Sequence, residues 1–431
     1  MEYKKLGRFT IDRPVAKGGM GEVVLSVDDS GMPIALKTIL DTYQYNERFR
    51  EMFIREAEIT FCLDHPNIVK AYRFEKLGNR LVMAMEYLDG ISLRDVLKRL
   101  YERKLHMPVP IALAIMEKAL AGLEYAHRKQ DDFGNDLGII HRDLNPSNVF
   151  VTLDGEVKIL DFGISKATQM DVHQLSPKAE IKGKISYLSP EQIRGANLDC
   201  RTDVFTAGVV LWEMLAARPL FLRPTDAEAM EAIVSGERLP IRSLRPDVPE
   251  EMAAAIEAAL ETDPKKRTPT AAEFAKQLLD SVKGIYLPGI GEEEVSAFAR
   301  SLFGKIENRD DPLFRSAYAW LMTLTPGHEK LGLLQLQELS ESHPSMPYIQ
   351  MNYARALLMI GDRQEGLRRM RKLARVDSLE SEIQAILEWL GVRRRPIIQK
   401  LNRRHPINHT LGWIRHRVLG PTRYQLEFMA A

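Results

Sequence analysis

At 431 residues, 45% of them hydrophobic, the chain is too long for one ordinary core, and we expect two or three folded domains rather than a disordered protein. Its 60 basic and 59 acidic residues nearly cancel, which argues against a general affinity for polyanions, and its two cysteines, Cys62 and Cys200, argue against a disulfide framework. The amino-terminal residues lack the apolar segment of a secretory signal, and no apolar run approaches the roughly 18 residues of a membrane span. We therefore expect a soluble, cytoplasmic protein.

The first predicted elements are strands, because residues 8–38 alternate between apolar and polar side chains. A glycine-rich turn, AKGGMGEVV, joins the first two strands. Compared with the phosphate-binding pattern G-x-G-x-x-G-x-V, Gly18, Gly21 and Val23 match, while Ala16 replaces the first glycine. Glycines let the backbone bend tightly and offer open N–H groups to phosphates. Such turns are common in hairpins, so the pattern gains weight only from the residues that come after it.

A lysine and a glutamate lie beyond this turn. Fourteen residues after Val23, the segment IALK places Lys37, two residues beyond Ala35, on the third strand. A helix is predicted over about 49–63, where apolar residues recur every three or four positions. Glu56 in this helix would ordinarily be solvated, but the lysine before it and the segment HPNIV after it favour an ion pair with Lys37.

Two strands, two helices and a polar loop lead towards the centre of the chain. The strands meet at Gly78-Asn79, and the second of them reads RLVMAMEYLDG. Helices are predicted over about 92–103 and 110–128, the second with apolar residues along one face. The loop QDDFGNDLG after these helices has no role that its sequence indicates.

The stretch IIHRDLNPSNVFVTLDGEVKILDFG, residues 139–163, predicts strand, loop, strand, hairpin turn, strand and a second loop. Asp143 lies in the first loop, Asn148 closes it, and Asp161 opens the second. Phosphoryl transfer requires a carboxylate to orient a hydroxyl, together with an amide and a second carboxylate to hold magnesium. Capping residues in two solvated loops would explain any one of these side chains but not the ordered set.

Residues 8 to about 280 resemble a eukaryotic-type (Hanks-type) Ser/Thr protein kinase, most closely those of bacteria. The catalytic-loop motif HRDLxPxN is followed thirteen residues later by the Asp of DFG. Ser189-Pro190-Glu191 takes the place of Ala-Pro-Glu, TDVFTAGVVLWEM supplies Asp203 at the head of a buried helix, and Arg267 would pair with Glu191. The resemblance implies an α+β, bilobal protein-kinase fold over 8–282, with ATP and Mg²⁺ bound between a strand-rich lobe and a helical lobe.

The resemblance also implies a role for each matching residue. Asp143 would orient the substrate hydroxyl, and Asn148 with Asp161 would hold Mg²⁺. The backbone of residues 86–88 would bind the adenine. Met85 would control access to the adenine pocket or would be an ordinary residue of the hydrophobic core. The residues implied to bind the nucleotide are Ala16, Gly18, Gly21, Val23, Ala35, Lys37, Glu56, Met85, Glu86 and Leu88.

Two departures from the family pattern concern the catalytic chemistry. Asn145 replaces a lysine that contacts the γ-phosphate, and Lys184 replaces a threonine near the catalytic aspartate. We expect Lys184 to supply the charge lost at Asn145, although it could also point to solvent or meet an acidic substrate. Arg142, which in the family clamps a phosphothreonine, could instead pair with Glu180, unless that residue is simply solvent-exposed. Because the departures touch the site of transfer, a preference for Ser or Thr is less secure than kinase activity.

The composition changes after residue 282, where an all-α region is predicted. Residues 283–312 read as a linker and an amphipathic helix with an apolar stripe over 295–303. Residues 313–380 resemble two tetratricopeptide repeats, since Gly332 and Gly366 and several leucines recur 34 residues apart, although generic amphipathic helices would produce some of these matches. Residues 381–431 form a basic tail that is predicted to be helical, with nine Lys or Arg and no Asp or Glu between 391 and 423.

The leading hypothesis is an active Ser/Thr protein kinase that acts on protein substrates and recruits protein partners through its C-terminal repeats. The alternative is a pseudokinase scaffold that binds nucleotide and acts through protein interaction. A small-molecule kinase is disfavoured because Ser189-Pro190-Glu191 and Arg267 are typical of protein kinases. We do not expect specific nucleic-acid binding, and the sequence identifies neither the substrate nor the oligomeric state.

Overall fold

The computed structural model describes residues 5–18, 21–162, 185–282, 291–303, 312–324 and 329–374, together with Ile383, Ile386 and Leu387. The chain divides into two compact units. The first comprises Met1–Lys283 and Ile290–Arg309, and the second comprises Gly284–Gly289 and Asp310–Ala431. None of the helices in the described ranges is long and apolar enough to cross a lipid bilayer.

The first unit begins with a six-stranded antiparallel sheet in the order β1-β2-β3-β4-β6-β5. Its strands are β1 (Lys5–Leu6), β2 (Phe9–Lys17), β3 (Gly21–Val27), β4 (Pro33–Ile39), β5 (Ala71–Leu77) and β6 (Arg80–Glu86). Helix α1 (Glu47–Cys62) packs on one face of the sheet, and its first turn is capped by Asn46, whose side chain accepts a hydrogen bond from the Phe49 N–H.

Strand β4 separates its side chains between the two faces of this sheet. Ile34 and Leu36 are buried on one face, while Ala35 and Ile39 pack on the other face with α1. This alternation follows from the two-residue period of a strand. Lys37 has the same parity as Ala35 and Ile39, so the strand directs it towards α1, where Glu56 lies next to the buried Ala57.

A three-stranded sheet, in the order β7-β8-β9, comes next. Its strands are β7 (Gly90–Ser92), β8 (Val149–Thr152) and β9 (Val157–Ile159). The predicted turn at Asp154-Gly155 joins β8 to β9, and Gly155 has φ +92°, a conformation that favours glycine. In the chain, α2 (Leu93–Arg103) and α3 (Val109–His127) lie between β7 and β8. Their bounds agree within one residue with those of the predicted helices.

Helices form the rest of the first unit. Helix α5 (Arg201–Ala216) is the centre of this part, because its residues from Thr202 onward are all buried. A helix that is buried on every side is mostly apolar, as the segment VFTAGVVLW shows, and its buried carboxylates Asp203 and Glu213 have hydrogen-bond partners. The helices around it are α4 (Pro190–Ile193), α6 (Asp226–Ser235), α7 (Glu250–Ala259) and α8 (Ala271–Ser281), with 3₁₀ turns at Ile185–Tyr187 and Ile241–Ser243.

One further helix, α9 (Glu292–Phe303), belongs to the first unit. Its apolar stripe packs against α2, α3 and β8 and buries Val295, Ala297, Phe298, Ala299 and Leu302. The amphipathic helix expected within 283–312 is therefore present, and its apolar face is covered by the preceding fold.

The second unit contains two pairs of helices in its described part. These are α10 (Pro312–Thr323) with α11 (Glu329–Ser342), and α12 (Pro347–Met359) with α13 (Arg363–Leu373). Gly332 and Gly366, 34 residues apart, have the same function in the two pairs. A Cβ on Gly332 would lie 2.5 Å from the Ala319 carbonyl oxygen, and one on Gly366 would lie 2.6 Å from the Leu358 side chain. Each glycine thus lets the second helix of its pair approach the first.

Candidate active site

A buried lysine joins the two lobes of the first unit. Lys37 Nζ donates to Glu56 Oε1 at 2.5 Å and to Asp161 Oδ1 at 2.7 Å, and the Lys37 side chain is only 14% exposed. Burial alone would lower the pKa of Lys37, but the carboxylates of Asp161 and Glu56 outweigh it and raise that pKa above its ordinary value. Lys37 is therefore held as a cation between the sheet, helix α1 and the loop after β9.

The two carboxylates beside Lys37 differ in their electrostatics. Burial raises the pKa of Glu56, and the Lys37 ammonium offsets only part of that effect. Burial also opposes the charge of Asp161, but here Lys37 more than compensates, and the pKa of Asp161 lies below its ordinary range. Asp161 is thus kept as an anion, and a carboxylate must be ionised to coordinate a cation.

The first turn of α5 holds the loop of residues 141–148 in place through hydrogen bonds. Asp203, which is fully buried, accepts hydrogen bonds from the His141 N–H at 2.7 Å and the Arg142 N–H at 2.8 Å. His127 Nε2 lies 2.7 Å from the same carboxylate. Burial opposes the charge of Asp203, and the bond from His127 keeps its pKa low. These bonds stabilise Arg142 at φ +64°, a conformation that costs free energy in a residue with a side chain.

Two amides support the backbone of Asp143 within this loop. Asn145 Nδ2 and Asn148 Nδ2 each donate to the Asp143 carbonyl oxygen at 2.8 Å. The other end of the Asn145 amide is also used, since Oδ1 accepts the Ser147 N–H at 2.9 Å. Asn145 is nearly buried, so the side chain at the position of the phosphate-contacting lysine stabilises the loop itself.

His141 couples this loop to Asp161. Its Nε2 lies 3.0 Å from the Leu160 carbonyl oxygen, and its ring packs on Phe162 with centroids 4.8 Å apart. Strand β9, immediately before, is held by the predicted segment HPNIV, in which Asn67 Nδ2 donates to the Val157 carbonyl oxygen at 2.9 Å. Asp161 itself has φ +52°. The two loops that carry the predicted acidic and amide groups are therefore fixed relative to each other.

Apolar side chains from the first sheet, from α1 and from residues next to the second sheet form one cluster beside Lys37. Ala35 and Met85 are buried in it and pair across β4 and β6, and Val23, Leu88 and Leu160 pack against them. The Glu86 carboxylate is bound by the Lys70 N–H at 2.8 Å and by Lys158 Nζ. Such a cluster offers an apolar surface of the kind that binds a planar ring.

The glycine-rich turn lies at the end of β2 and β3. The Gly18 N–H donates to the Gly21 carbonyl oxygen at 2.8 Å, and Ala16 pairs with Val23. A Cβ on Gly21 would lie 2.8 Å from the Thr38 carbonyl oxygen, so the close approach of β3 to β4 requires glycine there. The exposed Ala16 follows a register shift in β2 after Pro14 and still pairs with β3, so the turn forms with alanine in place of the first glycine.

Two residues with predicted roles, Lys184 and Glu180, lie outside the described ranges. Arg142 Nε is buried and has no hydrogen-bond partner among the described residues. The pairing of Tyr187 with Glu213, at 2.8 Å, was not predicted, because neither residue has a local pattern that indicates it. The expected pair of Arg267 and Glu191 is present, with two bonds of 2.7 and 2.9 Å.

The residues present fit a magnesium–nucleotide complex rather than a free-standing metal site. Asn148 donates through Nδ2, so its Oδ1 is the atom suited to a cation, and Asp161 is anionic. Among the described residues there is no group of three His, Cys, Asp or Glu able to hold a metal alone. Magnesium is commonly bound by one or two protein oxygens together with phosphate oxygens, and Asn148 with Asp161 is such a set.

Comparison with known proteins agrees with this geometry. The family model described as "Protein kinase domain" matches residues 9–280. The chain is 35% identical over 323 residues to the tyrosine-protein kinase MasK of Myxococcus xanthus. That alignment covers 74% of this chain and 49% of MasK. It is 32% identical over 281 residues to the serine/threonine-protein kinase PknB of Mycolicibacterium smegmatis, covering 63% of this chain and 42% of PknB.

Among solved structures, the Mycobacterium tuberculosis PknI kinase domain matches with a TM-score of 0.50 and 26% identity. That match covers 65% of this chain and 98% of the PknI chain. The chain spans at most about half the length of the curated relatives named above. The residues matched by the family model end before α9, so that model does not account for the second unit.

Proposed function

The chain belongs to the protein kinase family, and from that premise we propose that it is an active enzyme that transfers the γ-phosphate of ATP to Ser or Thr hydroxyls of protein substrates. The observation that carries this proposal is the position of Lys37, which is bonded at once to Glu56 and to Asp161. A kinase needs its strand lysine paired with the helix glutamate and its metal-binding aspartate close by. A nucleotide-binding scaffold would have no need of all these groups together with Asp143.

Each step of the transfer has a residue suited to it. Lys37 would bind the α- and β-phosphates, and Asp143 would orient the attacking hydroxyl and accept its proton. Asn148 and Asp161 would hold magnesium, which when bound neutralises charge on the phosphates. Met85 and the apolar cluster around it would face the adenine, and the backbone of residues 86–88 would bond its edge.

Tyrosine is the second candidate acceptor. MasK, named as a tyrosine-protein kinase, is 35% identical to this chain, and PknB, named as a serine/threonine-protein kinase, is 32% identical. Asn145 also departs from the lysine of Ser/Thr kinases. We favour Ser and Thr because the alanine- and arginine-containing loop of tyrosine kinases is absent after Asp143.

For the second unit we propose partner recruitment by tetratricopeptide-like repeats. The supporting observations are the two helix pairs and the close helix approach at Gly332 and Gly366. Paired helices of this kind present a concave surface to partner proteins.

We also propose that the protein acts in the cytoplasm and that Lys184 supplies a positive charge near the transferred phosphate.

One assay tests the enzymatic proposal. The purified full chain is incubated with ATP, Mg²⁺ and peptides that contain only Ser, only Thr or only Tyr, and the products are measured by mass spectrometry. We expect phosphorylation of Ser or Thr peptides by the wild type. In Asp143→Ala the rate of phosphorylation should fall at least about twentyfold, because this carboxylate is essential to transfer. Nucleotide binding without transfer to any peptide would favour the scaffold, and transfer only to Tyr peptides would favour the second candidate.

A further inference from the structure

Helix α9 lies beyond the residues that match the family model, yet it is attached to the first unit at a defined point. That point is the tip of the hairpin formed by β8 and β9. Ser296 Oγ and Arg300 Nε both donate to the Leu153 carbonyl oxygen, the latter at 2.8 Å. The contact is therefore made to the backbone of the hairpin and would persist whatever side chain stood at residue 153.

The approach of α9 to the hairpin is also very close. A Cβ on Gly155 would lie 1.7 Å from the Glu292 carbonyl oxygen, so the first turn of α9 rests directly on the turn of the hairpin. Arg300 also pairs with Asp154 at 3.1 Å, but the Asp154 side chain is 89% exposed, and such surface pairs contribute little free energy. The bonds to Leu153, which is nearly buried, are the ones that matter.

Leu153 connects α9 to the predicted adenine-binding segment. Its N–H donates to the Asp89 carbonyl oxygen at 2.8 Å, and its neighbour Thr152 pairs with Gly90. Asp89 follows directly after residues 86–88, whose backbone is expected to bind adenine. One residue therefore receives bonds from α9 on its carbonyl oxygen and supports the hinge through its amide.

The same hairpin carries the two metal-binding residues at its other end. Asn148 directly precedes β8, and Asp161 follows β9 by two residues. The Leu160 N–H donates to the Asn148 carbonyl oxygen at 2.8 Å, which keeps the two ends together. A shift of the hairpin tip would therefore reach both the hinge and the metal-binding pair.

We propose that α9 is a structural part of the nucleotide site, and that Arg300 and Ser296 are positioning residues that act through Leu153 on the hinge. The inference rests on the proposed function, since it concerns the same ATP site. A helix that only covered apolar surface would contribute to stability, whereas α9 also sets nucleotide affinity.

The test uses the full chain and the variants Arg300→Ala and Ser296→Ala/Arg300→Ala. ADP–Mg²⁺ binding is measured by calorimetry, which needs no phosphoryl transfer. We expect the Kd of the double variant to rise about tenfold, which is the effect of about 1.4 kcal/mol, and the KM for ATP to rise in parallel with an unchanged KM for the peptide. Arg300→Lys, which can still donate one bond to Leu153, should recover part of the affinity.

A matched control separates positioning from general surface loss. Arg242 forms a comparable surface pair on the first unit, with Glu250 at 3.2 Å, and Arg242→Ala should leave the Kd unchanged. Hydrogen exchange at the Leu153 amide provides a second readout, which should be faster in the double variant with or without nucleotide. Unchanged Kd and unchanged exchange would overturn the inference and leave α9 as a cover only. If the wild type itself binds no nucleotide, the proposed function fails, and hydrogen exchange alone decides the link to the hinge.

Discussion

The side chain at residue 145 is bonded entirely within its own loop. Asn145 donates to the Asp143 carbonyl oxygen and accepts from the Ser147 N–H, so both ends of its amide are used. A lysine at this position could not make the second bond, because it has no acceptor. We therefore propose that Asn145, in place of a charge near the phosphate, supports the backbone of Asp143, the residue proposed to be catalytic.

Asn145→Asp should show this role directly. The variant keeps the acceptor for the Ser147 N–H but places a carboxylate against the Asp143 carbonyl oxygen. The Asp143 carbonyl oxygen then keeps only the bond from Asn148, and the new carboxylate repels it, so the Asp143 backbone is displaced from its position. We expect kcat to fall about tenfold, the effect of about 1.4 kcal/mol on the barrier. Peptide phosphorylation at saturating ATP measures it, and an unchanged thermal midpoint shows that the fold is intact. A variant with the wild-type kcat would contradict the assignment.

Glu213 gives the first unit a defined dependence on pH. It is buried, it accepts from Tyr187 Oη and the Leu220 N–H, and burial raises its pKa to about 7 from the usual 4.5. A carboxyl whose folded pKa is raised stabilises the fold below its unfolded pKa, and that stability is lost as pH rises through the folded value. Between about pH 4.5 and 7 the loss approaches 3 kcal/mol, since the two pKa values differ by about 2.5 and each pH unit is worth about 1.36 kcal/mol.

The isosteric variant Glu213→Gln isolates this effect because it does not titrate. We expect the free energy of unfolding of the wild type to fall, relative to the variant, by about 3 kcal/mol between about pH 4.5 and pH 8. Denaturant unfolding of both proteins at the two pH values measures it. A constant difference between the two proteins would show that Glu213 does not titrate in this range.

At the scale of elements, the β8–β9 hairpin shows how one turn fixes several contacts. Gly155 permits both the positive φ of the turn and the close approach of Glu292. Gly78, at the turn between β5 and β6, also has a positive φ, but a Cβ there would meet nothing within 4 Å. The two glycines therefore share one backbone requirement and differ in the steric one.

Gly155→Ala should destabilise the protein more than Gly78→Ala. Both variants place a side chain in the left-handed region, at a cost of about 1–2 kcal/mol, and only the first also pushes α9 from the hairpin. Thermal unfolding measures the total effect, and hydrogen exchange of the α9 amides measures displacement of the helix. Equal losses in the two variants, with α9 still protected, would mean that the contact at Glu292 is unimportant.

For the whole molecule, the boundary of the first unit lies well after the end of the family match. The match ends at residue 280, but the compact unit also includes 290–309. Helix α9 buries Val295, Phe298 and Leu302 in the first unit. These three side chains represent several kcal/mol of apolar burial, at about 1.5–3 kcal/mol each.

A chain that ends at residue 283 should therefore be less stable than one that ends at 309. We expect a lower thermal midpoint, a tendency to aggregate and weaker ADP–Mg²⁺ binding in the shorter chain, because its hairpin and helices α2 and α3 lose their cover. Gel filtration detects aggregation, and calorimetry of both chains measures the thermal midpoint and the binding. Indistinguishable chains would show that α9 is dispensable for the first unit.

Local pattern was sufficient for much of the site. The order and spacing of Lys37, Glu56, Asp143, Asn148 and Asp161 predicted the protein kinase family from sequence, and the family match over residues 9–280 confirms that family. The roles of the five residues in the reaction stay predictions. Strand alternation in β4 also accounts for why Lys37 faces α1. Such features are readable because they depend on neighbours within a few residues, or on a period that the chain repeats.

The remaining contacts were decided only by the tertiary structure. Nothing in the sequence near Leu153 shows that its carbonyl oxygen accepts bonds from α9, because any residue offers the same backbone atom. The pairing of Tyr187 with Glu213 and the use of the Asn145 amide within its loop are likewise invisible to periodicity. The sequence by itself determined which chemical groups the site contains, whereas the fold decided what positions them, because support by backbone atoms and distant side chains has no local signature.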